Sequence, residues 1–338
     1  MCSIVASTNV AAETSGSWGC VNYVPLTDPC SWVGVMCRSG VVTQIVLQNR
    51  MISGSIPSDI GGLSSLNLLD LSDNSLSGSL PSSLGDLSAL SGLYLTANRI
   101  LTTIPIAFSK LTTLITLDLG GNSLTGAIPS LAALVSLTHL DLSGNHLVGS
   151  VPESIGNLLM LRYLDLSSNL LTGTIPTALG ALNYLEFLKL SYNNLDGSVP
   201  QSLCNLRELI FLDLSNNHLG QSIPVCYGTA LLNLEYLDLS TNMIGGSVPY
   251  TIGGLERLTY LQLTNNYLSG SIPVSLGSNG VLRNLGLTNN ILTGSVPSSL
   301  CGGQLSQLLL YEHAYVGNQG LFVTALYYCR HLSNEISS

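Results

Sequence analysis

The sequence predicts an α/β solenoid in which every coil contributes one short parallel strand. Three observations predict it. An asparagine recurs at Asn74, Asn98, Asn122, Asn145, Asn169, Asn193, Asn217, Asn242, Asn266 and Asn290, with gaps of 24 residues apart from one of 23 and one of 25. Each asparagine closes a phrase of the form LxLxxN, and most phrases run on through Gly to Ile-Pro or Val-Pro, as in YLDLSSNLLTGTIP from Tyr163 to Pro176. A unit this short cannot bury its own leucines, whereas stacked units bury each other's, each touching only its neighbours.

The elements of one coil follow in order. The segment LRYLDLSSN alternates apolar and polar residues around two leucines, which predicts a strand. The segment LTGTIPTALGAL carries a Gly that permits a turn, a Pro that stops the strand, and a loosely helical LGxL. Stacked strands lie about 4.8 Å apart. The repeated asparagine has donors and acceptors enough to satisfy backbone groups where the chain turns inside the coil, so the ten form a structural ladder. One more unit, IVLQNRMISGSIP, precedes them with Arg50 at the asparagine position, which makes eleven units. The chain therefore divides into an N-terminal cysteine-containing cap at 1–41, eleven repeats at 42–305, and a C-terminal cap and tail at 306–338.

Composition narrows the function. Charged residues make up only 9% of the 338, and the net charge is -9. Ten scattered Lys and Arg argue against nucleic acid as a partner, because a phosphate backbone needs clustered cations. The mean hydropathy of +0.42 raises the question of a membrane span. The uncharged run from Leu119 to Leu140 is interrupted by Gly, Asn, Pro, Ser and Thr, so no spanning segment is expected. The first seventeen residues show neither a signal peptide nor the pattern of an amphipathic helix. Eight cysteines form no CxxC pair, which argues against zinc. Their concentration near the ends predicts covalent caps in an oxidising compartment. Cys204 and Cys226 lie one coil apart, with offsets in the repeat that differ by two residues.

The phrase LxxLxxLxLxxNxLxGxIPxxLGxL resembles the plant-specific leucine-rich repeat over residues 42–305. DPCSWVGVMC, from Asp28 to Cys37, resembles the N-terminal cap of plant leucine-rich-repeat receptors. Trp18 and Trp32 match that cap's tryptophans, and the resemblance implies a disulfide between Cys30 and Cys37. YVGNQGLFVTALYYC resembles the family's closing segment, with Phe322 at a cysteine position, so that Cys329 lacks its usual partner. The resemblance implies a right-handed curved superhelix, with a parallel sheet on the concave face and short helical or 3-10 segments on the convex face.

Function on such a scaffold sits at the positions that vary. The residue before the second leucine of LxxLxL reads His139, Tyr163, Phe187, Phe211, Tyr236 and Tyr260 over six consecutive units. Aromatic residues are enriched in binding hot spots, so this stripe is the candidate ligand surface. The residue after that leucine is Asp70, Asp118, Asp141, Asp165, Asp213 or Asp238 in six units, and Lys189 in one. Asp141, Asp165, Lys189, Asp213 and Asp238 border the aromatic stripe and are counted with it, since stacked like charges invite a cationic partner. A row of carboxylates encloses no oxygen cage, so no metal is expected. A third column, between the Gly position and Ile/Val-Pro, runs Ser55, Ser79, Thr103, Ala127, Ser150, Thr174, Ser198, Ser222, Ser247, Ser271 and Ser295, a hydroxyl ladder able to order water. His139, His146, His218, His313 and His331 sit in no nucleophile context, and no GxSxG, HExxH or phosphate loop occurs, so neither catalysis nor a cofactor is expected.

The leading expectation is a non-enzymatic recognition module, like a receptor ectodomain at the cell surface or in the apoplast. Its partner would be a protein or peptide ligand, with a co-receptor kinase. The alternative is a secreted inhibitor of a pathogen's cell-wall-degrading enzyme, resembling polygalacturonase-inhibiting proteins. A third is ice or surface binding through the hydroxyl ladder.

Overall fold

The computed structural model describes residues 1–13, 20–21, 24–25, 27–301 and 316–322. Trp18, Cys329 and most of the C-terminal segment 306–338 lie outside the described residues. The chain forms two compact units, Met1–Leu171 and Thr172–Ser338, both leucine-rich-repeat solenoids.

In the first unit the LxL segments form the strands Val41–Val46, Leu68–Asp70, Gly92–Tyr94, Thr116–Asp118, His139–Asp141 and Tyr163–Asp165, paired in parallel with each leucine opposite the next. We call this the first sheet. Ile45 and the central residue of each later strand, from Leu69 to Leu164, are fully buried, and the leucine two positions on is buried with each. After Pro57, Pro81, Pro105 and Pro152 the chain makes one 3-10 turn, such as Ser82–Asp86 or Glu153–Asn157; none follows Pro129. Pro fixes φ where the turn begins and lacks the amide that a continuing strand would need.

The region expected as a plain turn forms a second parallel sheet on the flank. In the first unit its strands are Ser53–Ser55, Ser75–Ser79, Arg99–Thr103, Ser123–Gly126 and His146–Gly149. Two-residue alternation in LTGTIP is hidden by the glycine, which adopts φ near +74° in Gly126 and Gly173 and still leaves the neighbouring residues paired.

The N-terminal segment corrects another expectation. Residues Cys2–Ser7 and Val10–Glu13 are short helices, and Cys2, Ile4 and Val10 are buried. Ile4 and Val10 close the end of the core over Ile45, Ile52 and Ile60. Asn9 covers the flank sheet's first strand: its amide N donates to Ser53 O (3.2 Å), and its Oδ1 accepts from Ser53 N (2.6 Å). No helical period shows in so short a stretch, because its apolar residues are explained only by the surface they cover. In the adjoining cap, Cys30 and Cys37 are disulfide-bonded and Trp32 is buried, its Nε1 donating to Thr27 Oγ1 (2.8 Å).

In the second unit the first sheet comprises Phe187–Lys189, Phe211–Asp213, Tyr236–Asp238, Tyr260–Gln262 and Asn284–Gly286. Its flank is less regular. Between Asn194–Asp196 and Ser269–Gly270 the pairing falls to single bridges, Ser198 with Gly220, Ser222 with Gly245 and Ser247 with Ser269. Gly220 and Gly245 occupy bridged positions that are Ser77, Thr125 and Thr172 in the regular strands, and glycine is a poor strand former. The same coils carry a disulfide between Cys204 and Cys226. Their differing offsets are reconciled because the 25-residue coil turns into an α-helix, Tyr227–Ala230, directly after Cys226.

The asparagines occupy the interior of each unit. Asn145 Nδ2 donates to the carbonyls of Leu119 (3.1 Å), Leu142 (3.1 Å) and Ser143 (3.0 Å), and its Oδ1 accepts from Leu124 N (2.9 Å). One amide thus joins its own turn to the preceding coil. Asn318, not counted with the ladder from the sequence, does the same work at the last described coil: Nδ2 donates to Leu287 O (2.9 Å) and Oδ1 accepts from Leu292 N (3.0 Å).

Candidate functional site

The predicted site residues fall on the first sheet of both units, and each unit is described separately. In the first, His139 lies opposite Tyr163, and their rings stack at 4.2 Å with 10° between planes. Asp118, Asp141 and Asp165 stand in register beside them. In the second, Phe187, Phe211, Tyr236 and Tyr260 stand in register as one stack. The centroid distances are 5.9, 4.0 and 4.2 Å, and the interplanar angles are 24°, 8° and 7°. Lys189 Nζ sits 5.5 Å from the centroid of Phe211, a cation–π contact.

Face-to-face stacking has a chemical consequence. A ring whose faces are covered by neighbours presents its edge and, in tyrosine, its hydroxyl. The rings are only half-exposed, so stacking also stabilises the sheet, by roughly 0.5–1.5 kcal/mol per pair.

The aspartates are less available than a solvated stripe would be. Asp165 Oδ1 accepts from Ser167 N (2.9 Å) and Ser167 Oγ (2.5 Å), while its Oδ2 accepts from the Tyr163 hydroxyl (3.2 Å). Asp238 repeats this with Ser240 N (2.8 Å), Ser240 Oγ (2.6 Å) and the Tyr236 hydroxyl (3.4 Å). Asp141 and Asp213 accept from Ser143 N and Ser215 N. One carboxylate oxygen is therefore committed to the turn that ends the strand, which accounts for the phrase LDLS. Burial pushes the Asp118 and Asp238 carboxyls above the usual carboxylate range, and the nearby Asp141 and Asp213 charges push the same way. Burial also raises the phenols of Tyr163 and Tyr236.

Three features escaped the sequence reading. On one rim of the second unit's first sheet, Glu235, Glu256, Arg257 and Arg283 line a groove, and Arg257 Nη1 donates to Asn233 Oδ1 (2.9 Å). Tyr192 projects from the end of the strand that bears Phe187 and Lys189. The residue before each ladder asparagine is left-handed, from Asp73 (φ 54°) to Asn289 (φ 52°). Frequent Gly, Asn and Asp at that position were the available signal. The hydroxyl ladder lies along the flank, where Ser79, Thr103, Ser150, Thr174, Ser222, Ser247, Ser271 and Ser295 are exposed. Among the described residues no three His, Cys, Asp or Glu side chains converge as metal ligands. No described helix is long and apolar enough to cross a membrane.

Comparison with known proteins places the repeat. Two leucine-rich-repeat family models match, one at residues 93–147 and 157–219, the other at 65–87, 233–255 and 257–279, together just over half of the chain. The LRR receptor-like serine/threonine-protein kinase RGI3 of Arabidopsis thaliana is 39% identical over 66 residues, 19% of this chain and 6% of that protein. The ectodomain of the Arabidopsis thaliana receptor kinase GASSHO1/SCHENGEN3, solved with CASPARIAN STRIP INTEGRITY FACTOR 2, superposes with a TM-score of 0.82 at 32% identity, over 91% of this chain and 39% of that one. The plant peptide hormone receptor RGFR1, solved with RGF2, gives 0.74 at 33% identity over 78% and 46%. A plant ice-binding protein gives 0.66 at 25% identity over 95% and 94%. The chain thus spans less than half the length of the two receptor ectodomains and only a small part of the receptor kinase. With leucine-rich-repeat models matching from residue 65 to residue 279, an asparagine ladder and receptor ectodomains of like fold, the chain belongs to the plant-type leucine-rich-repeat proteins.

Proposed function

We propose that this chain is a non-enzymatic recognition module acting outside the cell or at its surface, and that the ring stack of the second unit receives an extended peptide segment of its partner. The observation that carries the reading is the stack Phe187–Phe211–Tyr236–Tyr260, four rungs presenting ring edges along one line. Buried aromatics bordered by a polar rim are the usual anatomy of a binding patch, and Glu235, Arg257 and Arg283 provide such a rim here. Two receptor ectodomains of like fold are solved with RGF2 and with CASPARIAN STRIP INTEGRITY FACTOR 2, which supports a peptide or protein ligand. A co-receptor kinase is the corresponding second partner. Disulfides in each unit support an oxidising compartment.

The test is a selection of random linear peptides displayed on phage against the intact chain, followed by titration of the selected peptides. Replacing Phe211 and Tyr236 together by alanine is expected to weaken binding roughly tenfold or more while thermal unfolding remains cooperative. Unchanged affinity in that variant would overturn the site. Pectin-degrading enzymes belong in the same titration, and tight binding of one would favour the inhibitor reading instead.

A second reading has its own observation. The plant ice-binding protein is matched over nearly the whole length of both chains, and the flank hydroxyls of the first unit stand on consecutive parallel strands. Ice grown in the protein's presence would become faceted if that reading holds; unaltered discs would dispose of it.

A further inference from the structure

We infer that Tyr192 is a contact residue of the recognition face, held in an unfavourable backbone conformation for the sake of its ring; this rests on the reading of the Phe187–Tyr260 stack as the binding surface. The position before each ladder asparagine must be left-handed. Its amide N donates to the next coil, as Tyr192 N does to Ser215 O (3.0 Å) and Thr241 N to Thr264 O (2.8 Å), while the asparagine turns inward behind it. Left-handed backbone disfavours any side chain with a Cβ, and Gly, Asn and Asp least resist it.

The second unit mostly respects that preference. Asn216, Asn265 and Asn289 occupy the position at φ 54°, 56° and 52°. Thr241 (φ 54°) is compensated, since its Oγ1 accepts from Asn265 Nδ2 (3.3 Å), and Asn289 Nδ2 in turn donates to Asn265 Oδ1 (2.7 Å). Tyr192 takes φ 55° with an aromatic side chain that is 61% exposed, so packing within the fold offsets little of the cost. Its coil is the one that carries Phe187 and Lys189. A bulky residue kept left-handed while its ring stays largely in solvent is the pattern that strain at a binding site leaves.

Thr102 supplies the control. It is also left-handed (φ 75°) and exposed, but it lies on the flank sheet of the first unit. Tyr192→Gly and Thr102→Gly are both expected to raise the melting temperature of the intact chain. Only Tyr192→Gly is expected to weaken the peptides selected from the displayed library, roughly tenfold. Wild-type affinity in Tyr192→Gly, or a melting temperature that fails to rise, overturns the inference. If the selected peptides are weakened by the Phe211→Ala, Tyr236→Ala pair but not by Tyr192→Gly, the recognition face stands and this inference alone falls. If neither change weakens them, both fall.

Discussion

The two units repeat one coil and differ in where its regularity is relaxed. The first keeps a continuous flank sheet and places small residues, Gly92 and Thr116, at ring positions of its first sheet. The second fills those positions with four stacked rings, while its flank falls to single bridges between Asn194–Asp196 and Ser269–Gly270, and a disulfide ties two of those coils. At the left-handed position the first unit has Asp73, Ala97, Gly121, Gly144 and Ser168, and the second has Tyr192, Asn216, Thr241, Asn265 and Asn289, so only the second places an aromatic ring there. The interior is the same in both: the repeat leucines are buried, and a ladder asparagine stands in every coil after the first, where Arg50 takes its position. In a repeat protein each coil touches only its neighbours, so core and surface can change independently along the chain. The difference therefore marks the second unit as the part that traded regularity for a specific surface.

The largest expected effect tests the shared interior. Asn145→Ala in the first unit and Asn217→Ala in the second each remove one amide that serves three carbonyls and accepts one backbone N–H. Each is expected to cost about 3 kcal/mol or more in chemical denaturation, because the stranded groups are buried. The loss should be greater for Asn217, where the flank provides bridges rather than strands; equal losses would show that the flank sheet matters little to stability.

Next comes the disulfide peculiar to the irregular coils. Cys204→Ser with Cys226→Ser opens a link that spans 22 residues. A cost of about 3 kcal/mol is expected, with faster amide exchange concentrated near Tyr227–Ala230 and the first unit unaffected. Exchange that rises equally in both units would contradict the assignment of this bond to a local role.

The smallest effect is on pH. Asp118 in the first unit and Asp238 in the second have carboxyls raised above 3.8 by burial. The folded state then holds protons that the unfolded state has released. Their contribution to stability is fully present below pH 3.8, and is lost as pH rises through the raised folded values. Melting temperature is therefore expected to climb as pH is lowered from neutrality toward that window. Asp118→Asn and Asp238→Asn should flatten the climb, since an amide oxygen can still accept from Gly120 N or Ser240 N. A slope unchanged in both variants would place the titration elsewhere.

Some of this was readable directly. The ladder asparagines, the leucine core and the coils follow from the repeated phrase, and so does the alignment of His139 with Tyr163 or Phe211 with Tyr236, because residues at the same place in the phrase meet in register. The flank sheet was not readable: its glycines read as turn residues, and its strands pair at an offset of 22 residues, out of step with the 24-residue period. Ile4 and Val10 gave no helical signal because two apolar residues define no period. Asn318 was hidden by its spacing, 28 residues beyond Asn290 rather than 24.

What the sequence determined by itself is whatever repeats: which residues are buried, how many coils stack, and which side chains share a column. A one-dimensional period carries that information because nearest neighbours are the only long-range contacts a solenoid makes. What only the tertiary structure decided is how the side chains in a column meet. The rings turn face to face, and the aspartates bend back onto their own serines. Those outcomes depend on rotamers and dihedrals selected by the neighbouring coil's atoms at a few ångströms, and no spacing of letters encodes them.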